Sequence, residues 1–307
     1  MPGECQLCAF QPGTTTDNAQ LNAWVAKPVQ ASAIRGQDSH LLRGFLNMKN
    51  MFNLEGRVAV VTGGAGLIGF ALAEGLATFG AHIFIADINE DIAGKCVAEL
   101  TAKGLRCSAI ALDILDVASI SAGIAKILSK AGALDIWVNS AYPKSKDWGL
   151  AFEKVSIDSW RTAVDSQMNS YCLCCREAAE AMRSRKRGSI INLGSTYGMV
   201  GPDFSIYEGT ALTMPAAYAA IKGGIINFTR YLASYYAKDG IRFNCISPGG
   251  VENSQAASFV ENYVRKTPLG RMARPDDMAG AAVFLASDAS AYVTGHNLVV
   301  DGGWTAI

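Results

Sequence analysis

The chain carries no surplus of either charge. Its 307 residues include 27 Lys plus Arg and 27 Asp plus Glu, so the formal net charge is zero. A balanced surface offers no broad basic field, which excludes nucleic acid or an anionic membrane as the main partner and favours a small molecule. Long apolar runs are missing as well, since none approaches the roughly 20 residues that span a bilayer. The first residues lack the basic-then-apolar order of a secretory signal, which makes the cytoplasm the expected location. A disulfide framework is also lacking. The eight cysteines (5, 8, 96, 107, 172, 174, 175 and 245) show no framework spacing and read as small reduced hydrophobes. Cys5 and Cys8 form a CxxC, but no second pair or paired histidine follows to complete four zinc ligands, so no metal site is expected.

What the sequence does have is apolar content. Half of it is hydrophobic and only 18% is charged, enough to bury a full α/β core without metals or crosslinks. Residues 1 to about 50 are polar and irregular (QPGTTTDNAQ, AIRGQDSH). From Asn53 onward the text becomes a regular alternation, so 53–307 is expected to be one domain. Three accounts of the leading segment stand open. It lies upstream of a true start at Met48 or Met51, or is a disordered tail, or is an organelle-targeting peptide diluted by Glu4, Asp17 and Asp38.

Seven apolar runs read as strands: 57–62, 81–87, 105–113, 134–139, 188–195, 241–248 and 296–302. Helix-like stretches separate them. Strands that are apolar throughout and alternate with helices imply a mostly parallel seven-stranded sheet covered on both faces, with ligands bound beyond the strands' carboxyl ends.

The first strand runs into Gly64, Gly66 and Gly69, a GxGxxG that opens a helix carrying Leu67 and Ile68. Glycines suit a tight turn whose backbone must approach a pyrophosphate at a helix N-terminus. The second strand ends at Asp87, 18 positions after Gly69, where a carboxylate accepts hydrogen bonds from ribose hydroxyls and repels a 2′-phosphate. NAD(H) is therefore expected over NADP(H). Asp87 could instead cap the next helix. The same two readings apply to Asp113, placed either to reach the adenine amino group or to cap a helix.

Tyr218 and Lys222 stand at i and i+4, one turn apart on one helix face. A free tyrosine titrates near pH 10, too high for a good base, and a fixed neighbouring cation favours phenolate. Ser195 lies at the end of an intervening strand.

These residues resemble the short-chain dehydrogenase/reductase family over residues 53–307, a single doubly wound Rossmann-like domain. Thr62 to Gly69 resembles its cofactor loop, Asn139-Ser140-Ala141 its NxA element, Asn169 its helix asparagine, Ser195 its serine, and Tyr218 with Lys222 its YxxxK. Ser247-Pro248-Gly249 resembles the turn that holds the carboxamide, and Val300 to Gly303 the final strand. The resemblance implies that Tyr218 is the general acid/base and that Lys222 lowers its pKa and binds ribose. Ser195 would bond the substrate oxygen, and Asn169 would hold a water linking Lys222 to solvent. Implied cofactor contacts are Gly63, Gly64, Gly66, Leu67, Ile68, Gly69, Asp87, Asp113, Ile114, Asn139, Ala141, Pro248, Gly249 and Val251, with Tyr218 and Lys222.

Three departures stand out. Gly66-Leu67 gives the glycine spacing of the extended, sugar-nucleotide branch; Tyr142-Pro143 follows strand four in place of glycine; and 23 positions separate Ser195 from Tyr218, longer than usual. The loops NSAYPKSKDWG, GPDFSIYEGT and PGGVENSQ resemble oxidoreductases of nonulosonic (legionaminic-type) acid and flagellin-glycan biosynthesis. Tyr142, Trp148, Phe204, Tyr207 and Glu208 are the candidate substrate contacts, with the aromatics either stacking on a sugar or nucleotide or simply packing a loop. Rival readings are a 3-oxoacyl-thioester or generic carbonyl reductase, an extended-type epimerase or dehydratase, and a catalytically silent NAD-binding scaffold. The helices around Cys172 and Tyr218 are expected to show mostly small apolar outward positions and, by resemblance, to pair subunits into a homotetramer.

Overall fold

The computed structural model describes residues 50–145, 147–210 and 213–307. The CxxC at Cys5 and Cys8, and the question of where the domain begins, lie outside the described residues.

In chain order the elements are β1 (Val58–Thr62), α1 (Leu67–Thr78), β2 (His82–Asp87), α2 (Glu90–Ala102), β3 (Cys107–Ala111), α3 (Val117–Ala131) and β4 (Ile136–Asn139). There follow α4 (Ile157–Val164), α5 (Ser170–Arg183), β5 (Gly188–Leu193), α6 (Ala216–Tyr236), β6 (Ile241–Pro248), α7 (Ala257–Arg265), α8 (Ala279–Ala286) and β7 (Asn297–Val300). The seven strands form one sheet in the order β3-β2-β1-β4-β5-β6-β7. Every pairing is parallel, so the sheet is wholly rather than mostly so.

Both faces are covered, which is why the strands read as unbroken apolar runs. Successive side chains of β1 show how one strand serves two cores. Val58 and Val60 pack with Ile120, Ile124 and Ile127 of α3 and with the α5 cysteines on one side. Ala59 and Val61 pack with Leu72, Leu76 and the α8 residues Ala282 and Val283 on the other. Full burial of side chains such as Trp137, Phe84 and Phe243 contributes roughly 1.5–3 kcal/mol each. The described cysteines are free, and burial pushes the thiols of Cys174 and Cys245 up to about 12, so they behave as small apolar groups.

Strand ends differ from the sequence expectation where it matters. The third strand stops at Ala111, whose register partner is Asp87, and the fifth stops at Leu193 opposite Ile246. Asp113 and Ser195 therefore lie just past the ladder, in backbone free to face a ligand. From β1 the chain winds outward to β2 and β3, then returns to place β4 on the other side of β1. The connections that leave β1 and β4 diverge there, opening a crevice at the strands' carboxyl ends.

Among the described residues no helix is long and apolar enough to cross a membrane. The outward faces of α5 and α6 differ from expectation. Arg176, Glu180, Tyr231 and Tyr235 are exposed there, so those faces mix charge with large rings rather than small apolar side chains.

Candidate active site

The crevice holds a cavity of about 790 Å³, in the range of small-molecule sites. One end is built from backbone. The loop after β1 folds back on itself, with Gly66 N–H donating to the Gly63 carbonyl at 3.0 Å. Gly63 has φ +60°, and a Cβ there would come 2.6 Å from the Ala141 Cα. A Cβ on Gly69 would meet the Gly63 carbonyl oxygen at 2.2 Å, so helix and loop approach as closely as glycine alone permits. Gly66 caps α1 without a side-chain hydrogen bond, and the first turn contains no acidic residue. Its positive dipole end is thus left for a ligand.

Gly63, Gly66, Leu67, Ile68 and Gly69 line this end, together with Asp87, Asp113, Ile114 and Ala141. Gly64 lies behind the lining, where a Cβ would strike the Val61 carbonyl. Asp87 does not cap α2, because Asn89 does so through Ile92 N–H. Its carboxylate instead accepts from Ala65 N–H (3.3 Å) and Asn89 N–H (3.0 Å), tying the glycine loop to β2. Asp113 is likewise not the cap of α3, a place taken by Asp116.

The other end is built from side chains. Ser195, Tyr218 and Lys222 line it, and Pro248, Gly249 and Val251 line the same cavity. Lys222 is buried, and its ammonium donates to the Leu193 carbonyl at 2.7 Å. It lies 5.6 Å from the Tyr218 ring centroid, 5.8 Å from that of Tyr142 and 5.5 Å from that of Tyr171. Burial among rings pushes its pKa down to about 8. Burial also raises the Tyr218 hydroxyl above its ordinary value, against the opposing hydrogen bond of Ser195. Sequence reasoning expected the lysine to lower Tyr218. Here desolvation is the larger effect, and the cation is directed onto a backbone carbonyl.

Residues 63–305 match the family model described as Enoyl-(Acyl carrier protein) reductase. The chain belongs to the short-chain dehydrogenase/reductase family. It is 33% identical over 253 residues to post-translational flagellin modification protein A of Campylobacter coli, covering 82% of this chain and 99% of that one. Two solved structures are similar. A gluconate 5-dehydrogenase from Burkholderia cenocepacia in complex with NADP and tartrate has TM-score 0.76 and 31% identity, over 84% of this chain and 98% of that one. A short-chain dehydrogenase from Leptospira borgpetersenii with bound NAD+ has TM-score 0.73 and 34% identity, over 82% and 94%. The protein is accordingly an oxidoreductase acting on CH–OH donors with NAD or NADP.

Within this dehydrogenase/reductase, several expected site residues stand elsewhere. Asn169 is exposed, its amide on the Asp165 carboxylate (3.1 Å). A π-helical turn over Asp165–Asn169 brings Gln167 inward instead, 2% exposed. Asn139 is fully buried, and its side chain turns from the cavity into a network with Trp137 Nε1 (2.8 Å), Asn192 (2.8 Å) and Cys175 (3.3 Å). Of the proposed substrate contacts, Tyr142 and Tyr207 line the cavity while Trp148, Phe204 and Glu208 do not. Trp148 backs the wall, edge-on to Tyr142 at 5.7 Å. Phe204 and Glu208 are exposed on the outside of the 201–216 insert.

The sequence reading missed the opposite wall. Phe259 and Tyr263 of α7, with Tyr197 and Met272, face the cavity beside Tyr207. Spacing of the two α7 rings at i and i+4 was the available signal.

Proposed function

We propose that this dehydrogenase/reductase uses NAD(H) in preference to NADP(H) and takes Tyr218 as its acid/base, acting on a carbonyl or secondary alcohol of a sugar or sugar nucleotide. The observation that carries the reading is one continuous cavity with Asp87 at its backbone-built end and Ser195, Tyr218 and Lys222 at its side-chain-built end. The glycine loop packed against α1 and the uncapped start of that helix fit a pyrophosphate, which the positive end of the helix dipole would attract. Asp87 would accept from the ribose hydroxyls and repel a 2′-phosphate. Pro248, Gly249 and Val251 would flank the nicotinamide, which when bound supplies or accepts the hydride.

The chain's own groups manage the proton. Ser195 would hydrogen-bond the substrate oxygen and orient it toward the Tyr218 hydroxyl. Tyr218 gives that oxygen a proton in reduction and takes one in oxidation. Lys222, at about 8, is largely charged at neutral pH, and its positive charge favours phenolate as it develops. The sugar reading draws on the aromatic wall of Tyr142, Tyr207, Phe259 and Tyr263 and on the likeness to a protein named for flagellin modification.

Fluorescence titration with NADH and NADPH tests the cofactor reading. NADH should bind at least roughly tenfold more tightly, and Asp87→Ala should remove most of that margin. Equal affinities in the native protein would overturn the preference. We also infer a homotetramer; the stacked Phe228, Tyr231 and Tyr235 rings on α6, with centroids 6.0 Å apart, support self-association. A monomer mass by light scattering at micromolar protein would refute it.

A further inference from the structure

The buried glutamine before α5 presents a cost without an obvious return. Gln167 is 2% exposed, and its Oε1 has no hydrogen-bond partner among the described residues. Burying an unpaired carbonyl is unfavourable, and a methionine of similar volume would avoid the penalty. Its Nε2 donates to the Pro143 carbonyl at 2.7 Å. One turn on, Tyr171 is also buried, and its hydroxyl donates to the Ala141 carbonyl at 3.1 Å. Two side chains on one helical face therefore grip the carbonyls on either side of Tyr142. Gln167 lies within the π-helical turn over Asp165–Asn169, and such turns recur at functional sites.

The gripped residue is no bystander. The Tyr142 ring stands edge-on to the Tyr218 ring at 5.7 Å and 79°, and edge-on to Trp148 at 5.7 Å and 84°. Trp148 in turn meets Tyr218 at 6.3 Å. Tyr142 is 38% exposed, so these rings alone do not enclose it. Its backbone must be fixed from below if the ring is to hold one place over the cavity.

We propose that Gln167 and Tyr171 are positioning residues that clamp the 141–143 segment, and that Tyr142, held by this clamp, is the side chain that shapes the space between the nicotinamide site and the Tyr218 hydroxyl. Neither clamp residue touches reacting atoms; both act through Tyr142. The consequence for the nicotinamide site rests on the dehydrogenase reading above, whereas the clamp itself does not.

Hydrogen–deuterium exchange read on the peptide covering 140–149 tests the clamp with no ligand present. In Gln167→Met and in Tyr171→Phe the amides of this peptide should exchange at least tenfold faster than in the native chain, and faster still in the double variant. Peptides from β1, β2 and α1 should keep their native rates. Gln167→Leu, which lacks donor and acceptor alike, should behave as Gln167→Met does. Unchanged exchange at 140–149 in both single variants would overturn the proposal. If Gln167→Met does not fold, Tyr171→Phe, which loses only a hydroxyl, decides the matter alone. NADH supplies the second readout. Its affinity should stay within about threefold in the variants, while the emission of the bound nicotinamide moves at least halfway toward that of free NADH. Native emission in the variants would overturn the role given to Tyr142. Failure of the native chain to bind NADH would overturn the NAD(H) reading and leave the exchange result to judge the clamp.

Discussion

The two ends of the cavity are made of different material. At the cofactor end the lining is largely backbone: Gly63, Gly66 and Gly69 crowd against one another, and the first turn of α1 has no side-chain cap. At the substrate end the lining is side chain, and the chain comes from the turn after β4, the 201–216 insert, the start of α6 and α7. Backbone sites tolerate almost no added atoms but specify little about the ligand beyond its charge and shape. Side-chain sites are chemically particular and open to exchange. The first kind makes a dehydrogenase; the second decides of what.

Four substitutions or titrations would break or sharpen this contrast. The largest effect belongs to Tyr218→Phe, which should lower turnover by roughly 10²-fold or more while NADH affinity barely changes, as steady-state kinetics and fluorescence titration will show. Turnover near the native rate would remove Tyr218 from the chemistry. Next comes Gly69→Ala at the backbone end. Forcing a Cβ against the Gly63 carbonyl should cost about 1–3 kcal/mol, read as a 10- to 100-fold weaker NADH Kd, with the substrate-end aromatics undisturbed. An unchanged Kd would mean that the cradle yields more readily than its packing implies.

The third concerns pH. Burial lowers Lys222 from its ordinary 10.5 to about 8, so the fold prefers its neutral form. The corresponding stability is fully present above 10.5 and is lost as pH falls through about 8. Between those limits the native protein should gain up to about 3 kcal/mol relative to Lys222→Met, measured by urea unfolding at pH 7 and pH 10. A difference that is flat across this window would show that the ammonium is better solvated than its burial suggests. The smallest effect is at the insert. Asp203 pairs with Lys266, and that hydrogen bond, with Ser205, holds its carboxyl down at about 2. Its contribution is present above the ordinary carboxylate range and fades as pH falls through about 2. With the pair partly exposed, Asp203→Asn should shift stability at pH 7 by less than about 1 kcal/mol in thermal melts. A much larger loss would make the insert a structural element rather than an adaptable wall.

The same contrast explains what could be read in advance. The five inner strands were legible because two-sided burial writes itself as an apolar run, and the glycine loop because close backbone approach demands glycine at fixed spacing. Ser195, Tyr218 and Lys222 were found together because one helix turn and one strand end carry them. The family resemblance points to Asn169, whereas in the π-helical turn before α5 it is Gln167 that faces inward. A π-helical turn over these residues departs from the α-helical period, and nothing in the local pattern announces it. Asn139 looked available for the pocket, yet its amide is committed to Asn192, a partner 53 positions away that only the β4–β5 register brings alongside. The α7 wall was missed because Phe259 and Tyr263 look like ordinary core until the fold shows what they face.

That buried amide pair reaches further than the sheet. Asn192 also donates to the Thr229 hydroxyl on α6 at 3.0 Å, two turns beyond Lys222 and three beyond Tyr218. Greasy contacts let a helix slide along its bed, but a directional bond is made at one setting. Thr229 thus works as an indexing pin: it fixes how far along its axis the helix rests, and so the height at which a phenol and an ammonium stand above the strands.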